Sequence, residues 1–254
     1  MIKKTKVAIF ANNEAGLKVV KYLKMQENTE ICLLYTCGTN KKLDLKIAKE
    51  TGLKQKNIFT KRCQYENLLH KKYFKKKHID FIITVYWPWL IKEDLYSLSK
   101  NTINFHPSLL PINRGWYPHV HNIIKKTSGG VSLHQIAKKA DQGKIWCQKK
   151  VDVLPTDNAK ELHARLQRTI INLFKSNWNN IRTSKIIPFE QDHKNANYFC
   201  KKDVVKYDKI DINKKILPLD FINILRARSF GKKSFAYYVL DGQKIYVNLS
   251  LNRE

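Results

Sequence analysis

Asn104-Phe105-His106-Pro107-Ser108-Leu109-Leu110-Pro111-Ile112-Asn113-Arg114-Gly115-Trp116-Tyr117-Pro118 is the stretch from which this chain is read, and Asp141, in A-D-Q-G-K-I, answers it further along. Thr102, Asn104 and His106 alternate with the apolar Ile103 and Phe105. Alternate residues of a strand share a face, so the Asn104 amide and the His106 imidazole point the same way. Pro107 ends the ladder, because it has no N–H and restricts the residue before it. An amide and an imidazole at a strand end, met by a carboxylate from later in the chain, make a candidate acid/base site. Each of the three also suits a structural role, and the residues alone leave both readings open.

A chain of 254 residues fits one large domain, or a domain with a small appendage. Its 43% hydrophobic and 11% aromatic content supplies a core and argues against disorder. No apolar run approaches the ~20 residues of a membrane span, and M-I-K-K-T-K-V-A-I-F reads as a first strand, not a signal peptide. The expected location is the cytoplasm. The cysteines (Cys32, Cys37, Cys63, Cys147, Cys200) number five, lie far apart and form no C-x-x-C, so neither a disulfide framework nor a structural zinc site is expected. His119 and His121 form H-x-H but lack a third ligand, and no metal is expected.

Lys and Arg total 48 against 21 acids, a net charge of +27. The lysines are dispersed in short clusters (Lys3-Lys4, Lys41-Lys42, Lys71-Lys72, Lys125-Lys126) with no basic tail. Nucleic-acid readers concentrate Arg and aromatics on one element, so neither nucleic acid nor a membrane is an expected partner. A small phosphate-bearing substrate would gain from the same field.

In order, residues 6–11 read as a buried strand and the turn at Asn12-Asn13 opens a helix, the first unit of an open α/β sheet. The single Gly16 does not make a dinucleotide fingerprint. Asn12 and Asn13 fit an anion-binding turn or an ordinary cap equally. Residues 30–37 and 57–60 are further strands, 43–50 and 65–73 helices, and the apolar run 80–87 a central strand. Trp87-Pro88-Trp89-Leu90 puts flat apolar surface at that strand's C-terminal end, where such sheets bind ligands. Gly129-Gly130 reads as a turn into the strand 131–136, with His134 as a satisfied, partly buried histidine. Asp141-Gln142-Gly143 is a turn into the strand 145–153, which makes antiparallel pairs expected there. Asp157-Asn158 caps a long helix with Leu162, Leu166, Ile170, Leu173 and Phe174 on its buried side. Residues 219–230 read as a helix, and Asp241-Gly242, between strands 236–240 and 245–251, signals a hairpin. The expectation is a Rossmann-like α/β domain with an open mixed sheet over residues 1–190 and a small α+β region over residues 191–254.

N-F-H-P-S-L-L-P-I-N-R-G-W-Y-P-H-V-H-N-I, then G-G-V-S-L-H-Q-I, then A-D-Q-G-K-I resembles the formyltransferases that use 10-formyltetrahydrofolate. The tail, with Tyr198-Phe199, N-I-L-R-A-R-S-F over residues 223–230 and a closing hairpin, is similar to the sugar-nucleotide N-formyltransferase branch, as is R-G-W-Y-P-H-V. The resemblance implies that Asn104, His106 and Asp141 are catalytic. Tyr86, Trp87, Leu90, Ala137, Lys138 and Asp141 would meet the folate co-substrate, and Asn12, Asn13, Arg114, Trp116, Tyr117 and Arg228 the nucleotide sugar. It further implies a homodimer, and an amino sugar bound for a bacterial surface polysaccharide, with dTDP-4-amino-4,6-dideoxyglucose first and GDP-perosamine second. Ala137-Lys138-Lys139-Ala140 departs from the family, which often carries acidic residues and a glycine there.

Overall fold

The computed structural model describes residues 3–252. In chain order its elements are β1 (Thr5–Ala11), α1 (Asn13–Lys24), β2 (Thr29–Tyr35), α2 (Lys41–Thr51), β3 (Ile58–Phe59), α3 (Arg62–Glu66), α4 (Leu68–Lys76), β4 (Phe81–Val85), α5 (Glu93–Tyr96) and β5 (Asn101–His106). Then follow β6 (Arg114–Gly115), α6 (Pro118–Lys125), β7 (Gly129–His134), β8 (Ile145–Val151), α7 (Ala159–Arg182), β9 (Tyr198–Phe199), α8 (Pro218–Ala227), β10 (Ser229–Phe230), β11 (Lys233–Ser234), β12 (Tyr237–Leu240) and β13 (Gln243–Tyr246). Seven strands form one sheet in the order β3-β2-β1-β4-β5-β7-β8. The pairs β1–β2, β1–β4, β2–β3 and β4–β5 are parallel, so the chain adopts the expected α/β class. β4, buried along its whole length, is the middle strand.

Two compact units divide the chain: one holds residues up to His106 with Leu133–Cys147 and Ile171–Glu190, the other Pro107–Ser132, Gln148–Ile170 and the residues from Gln191 on. In the first, Phe10 stacks on Tyr35 with centroids 4.0 Å apart, and the Tyr35 hydroxyl shares a 2.7 Å hydrogen bond with His70 Nε2. Trp178 of α7 is fully buried, edge-on to Phe81 at 5.2 Å, and its Nε1 donates to Thr29 Oγ1 at 3.0 Å. The helix expected over 65–73 is two helices, because Asn67 leaves the helical conformation and its side chain accepts from His70 N, capping α4.

In the second unit Gly129 and Gly130 are not a turn but the start of β7. A Cβ on Gly129 would lie 2.4 Å from Val151 O, and one on Gly130 2.8 Å from Leu109 Cβ, so the glycines permit a close approach that side chains forbid. β6 pairs with β9, and the His121 ring lies flat on Phe199 at 3.6 Å. Arg226 donates to the main-chain carbonyls of Leu154, Pro155 and Asp157, tying α8 to the segment ahead of α7. The hairpin turns at Asp241-Gly242, both left-handed (φ 50° and 76°) as a two-residue I′ turn requires, although its second strand is Gln243–Tyr246, earlier than expected.

Burial disfavours the charged imidazole and holds His70 and His121 at about 4, with His119 and His163 also lowered. The folded state therefore resists protons that the unfolded chain accepts below about 6.5. Above that pH these rings contribute nothing to the pH dependence; as pH falls from about 6.5 towards 4 they progressively destabilise the fold, by about 1.4 kcal/mol per unit of depression. Thermal unfolding is expected to show a constant midpoint between pH 7 and 8 and a steep fall between pH 6 and 4.5. A flat profile to pH 4.5 would contradict this.

Candidate active site

One face of β5 organises the site. Thr102, Asn104 and His106 all meet the segment 134–141. Thr102 Oγ1 accepts from Ile136 N at 2.7 Å, Asn104 Nδ2 lies 2.9 Å from His134 Nε2 and 3.3 Å from Asp141 Oδ1, and His106 Nδ1 is 3.5 Å from Asp141 Oδ2. The period of two that puts these residues on one face of a strand thus becomes a row of contacts along one strap of chain. His106 is 4% and His134 1% exposed, so little solvent screens the interactions around Asp141.

Asp141 reaches this position through its turn. Its backbone is left-handed (φ 55°), a conformation Asp tolerates better than most residues. Gln135 N donates to Lys144 O at 2.7 Å, closing the loop between β7 and β8. Gly143 allows that closure: a Cβ there would sit 1.9 Å from Gln135 O.

The turns after β1 and β4 flank the point where the strand order reverses, the position at which open α/β sheets bind ligands. Asn12 is occupied structurally. Its Oδ1 accepts from Asn13 N and from the Cys37 thiol, and its Nδ2 donates to Tyr86 O at 3.0 Å. Asn13 Oδ1 accepts from Ala15 N. Tyr86 is left-handed (φ 51°), an unusual conformation for a bulky residue, and burial raises its hydroxyl pKa. Trp87 meets Phe10 and Trp89 edge-on at 5.1 and 5.2 Å; its Nε1 is buried with no hydrogen-bond partner among the described residues. Leu90 is 61% exposed, Ala137 half-buried and Lys138 exposed.

The remaining candidates belong to the second unit. Arg114 is buried and donates to Gln191 Oε1 and pairs with His193 Nδ1, while Arg228 is buried and pairs with Asp208. Trp116 lies under the Lys201 ammonium, 3.9 Å from its ring centroid, and the half-exposed Tyr117 caps α6 in a left-handed conformation. Sequence reading treated His134 as a satisfied, partly buried histidine, gave Thr102 no role beyond the strand's alternation and did not single out Thr84. Thr84, the one polar residue of β4, donates to Asn104 Oδ1 at 2.5 Å, and its polarity inside an apolar strand was the available signal.

Among the described residues no helix is long and apolar enough to cross a membrane. The chain is 29% identical over 153 residues to a dTDP-4-amino-4,6-dideoxyglucose formyltransferase of Mycobacterium bovis, a match covering 60% of this chain and 65% of that protein. It thus spans slightly less than two thirds of that relative. Methionyl-tRNA formyltransferase of Mycoplasma capricolum is 28% identical over 98% of this chain and 79% of its own. A 4-N formyltransferase from Francisella tularensis superposes with a TM-score of 0.84 at 24% identity, over 98% of this chain and 99% of that one. An N-formyltransferase from Helicobacter canadensis, solved with folinic acid and dTDP-3-aminofucose, superposes with 0.71 at 20% identity, over 95% and 86%. The family described as N-formyltransferase dimerization C-terminal domain matches residues 203–253. The family described as formyl transferase matches residues 5–175, and with more than half of its length so matched the chain belongs to the formyl transferase family.

Proposed function

We propose that the chain is an N-formyltransferase that moves a formyl group from 10-formyltetrahydrofolate to the amine of a nucleotide-linked amino sugar. The observation that carries the reading is the meeting of Asn104, His106 and Asp141 side chains at the end of β5. Bound 10-formyltetrahydrofolate supplies an activated formamide carbonyl. When an amine adds to such a carbonyl, an oxyanion develops and a proton must leave. The Asn104 amide donates an N–H to the oxyanion. His106 takes the amine proton at neutral pH and gives it to the folate nitrogen as the bond from that nitrogen to the formyl carbon breaks, and Asp141 beside its Nδ1 orients the ring and stabilises its charge. Trp87 Nε1, with no hydrogen-bond partner among the described residues, suits the polar edge of a flat bicyclic ring.

The substrate we favour is dTDP-4-amino-4,6-dideoxyglucose, a precursor of surface polysaccharide, with GDP-perosamine as the alternative sugar. The M. bovis relative's activity supports the first. A second reading, formylation of methionyl-tRNA, is favoured by the net charge of +27 and by the M. capricolum relative's 98% cover. Purified protein incubated with 10-formyltetrahydrofolate and each acceptor decides by mass spectrometry. A formamide of the dTDP-sugar supports the proposal; formyl-methionyl-tRNA alone supports the rival; no product with any acceptor favours a binding protein without turnover.

Within this reading residues 1–190 carry the chemistry and residues 191–254 mediate a homodimer. Leu217, Leu219, Leu240 and Tyr246 are 70%, 60%, 49% and 58% exposed, apolar surface of the kind that a second copy covers. Light scattering is expected to give twice the chain mass, and Leu219→Glu to shift the protein towards monomer. A wild-type monomer at micromolar concentration would remove this part of the proposal.

A further inference from the structure

His134 meets both Asn104 and Asp141, its Nε2 lying 2.9 Å from Asn104 Nδ2 and 3.4 Å from Asp141 Oδ1, yet has no part in the chemistry just described. Its Nδ1 lies 2.7 Å from Gln135 O. A carbonyl only accepts, so Nδ1 carries the hydrogen and donates, and in the neutral ring Nε2 is an acceptor. Asn104 Nδ2 lies 2.9 Å from that Nε2 and 3.3 Å from Asp141 Oδ1. Two acceptors therefore face one end of the Asn104 amide. At the other end the Thr84 hydroxyl donates to Oδ1 at 2.5 Å. A flipped amide would set its oxygen against two acceptors, one of them a carboxylate, and although the Thr84 hydroxyl could turn to Ile103 O at 3.4 Å, that turn would not relieve the clash. The arrangement is thus self-consistent in one orientation only.

The two N–H bonds of Asn104 are not equivalent. The one to His134 is short, and its partner is 1% exposed and held from behind by the Gln135 carbonyl. The one to Asp141 is longer, and Asp141 sits on a turn with its other oxygen near His106. Resting on the functional reading above, we infer that His134 is a positioning residue: it anchors one N–H of Asn104 so that the other, lent to Asp141 in the resting site, is presented to the developing oxyanion. His134 touches no reacting atom in this account. It decides which atom of Asn104 faces the carbonyl and keeps the amide plane from rotating.

The test compares His134→Gln with His134→Asn and His134→Leu. Gln extends an oxygen to about the place of Nε2 and can accept from Asn104; Asn reaches only the Nδ1 place, and Leu offers no acceptor. His134→Asn and His134→Leu are expected to lower kcat about 10- to 100-fold, as a small misplacement of a catalytic group does, with both KM values little changed. His134→Gln is expected to regain most of that loss. A packing role would lower thermal stability and activity together without distinguishing Gln from Asn. If His134→Leu does not fold, the Gln and Asn pair decides alone. A readout independent of turnover is the side-chain amide signal of Asn104 in the nitrogen–proton spectrum, assigned by its loss in Asn104→Ala. It should show one proton strongly downfield in wild type and lose that shift in His134→Asn. Equal kcat in wild type and His134→Asn, or an Asn104 signal unaltered between them, overturns the inference. If wild type forms no formamide the functional reading falls, and the amide signal still decides whether His134 holds Asn104.

Discussion

Asn104→Ala is expected to lower kcat for formyl transfer about 10²–10³-fold, the cost of deleting one preorganised oxyanion donor, and His106→Ala about 10²–10⁴-fold, the usual range for a lost general base. Each deletion removes side-chain contacts at the end of one strand and leaves the rest of the sheet's backbone ladder in place. The Asn104 side chain bonds Thr84, His134 and Asp141, and His106 ends β5 where Pro107 already stops the ladder. Thermal midpoints should therefore move by only a few degrees, and both KM values should stay near wild type, because these contacts strengthen in the transition state. Asp141→Asn is expected to resemble His106→Ala, since a neutral amide near His106 Nδ1 no longer stabilises the protonated ring. The losses should not add in the double variants, because the three side chains act on one proton and one oxyanion. Turnover measured by mass spectrometry checks all of this. Asn104→Ala within about twofold of wild type would remove β5 from the reaction.

The second large effect is at a residue with no side chain. Gly143→Ala would put a Cβ 1.9 Å from Gln135 O and 2.6 Å from Gln135 C, both backbone atoms that cannot swing aside. The loop between β7 and β8 must open, loosening the Gln135–Lys144 hydrogen bond and carrying Asp141 away from Asn104 and His106. Overpacking of this kind costs about 1–3 kcal/mol, and an ångström of misplacement costs about 10²-fold in rate. Gly143→Ala is expected to show both, a lowered unfolding midpoint and a kcat loss close to that of Asp141→Asn. Normal activity in the folded variant would show that the turn does not need its closed form.

The α/β class was legible because its signals are local. Apolar runs over β1, β2 and β4, the asparagine cap of α1 and the Asp241-Gly242 turn each carry their own physics. The errors arose where a distant backbone decides. Gly129-Gly130 has the composition of a turn, yet becomes strand because Val151 and Leu109 approach too closely for a Cβ. The helix expected over 65–73 broke at Asn67, whose side chain satisfies the next helix's first turn instead. Arg228, which the resemblance assigns to the nucleotide sugar, also pairs with Asp208, a partner that no spacing announces.

By itself the sequence determined the alternation at Thr102, Asn104 and His106, since a strand's period of two is a property of the backbone. It also determined the polar turn that bears Asp141 and the open sheet that holds them. Tertiary structure alone decided that His134 and Thr84 grip the two ends of the Asn104 amide. A hydrogen bond between residues far apart in sequence depends on the register of neighbouring strands and on which face each side chain occupies, and neither is written in the spacing of one strand.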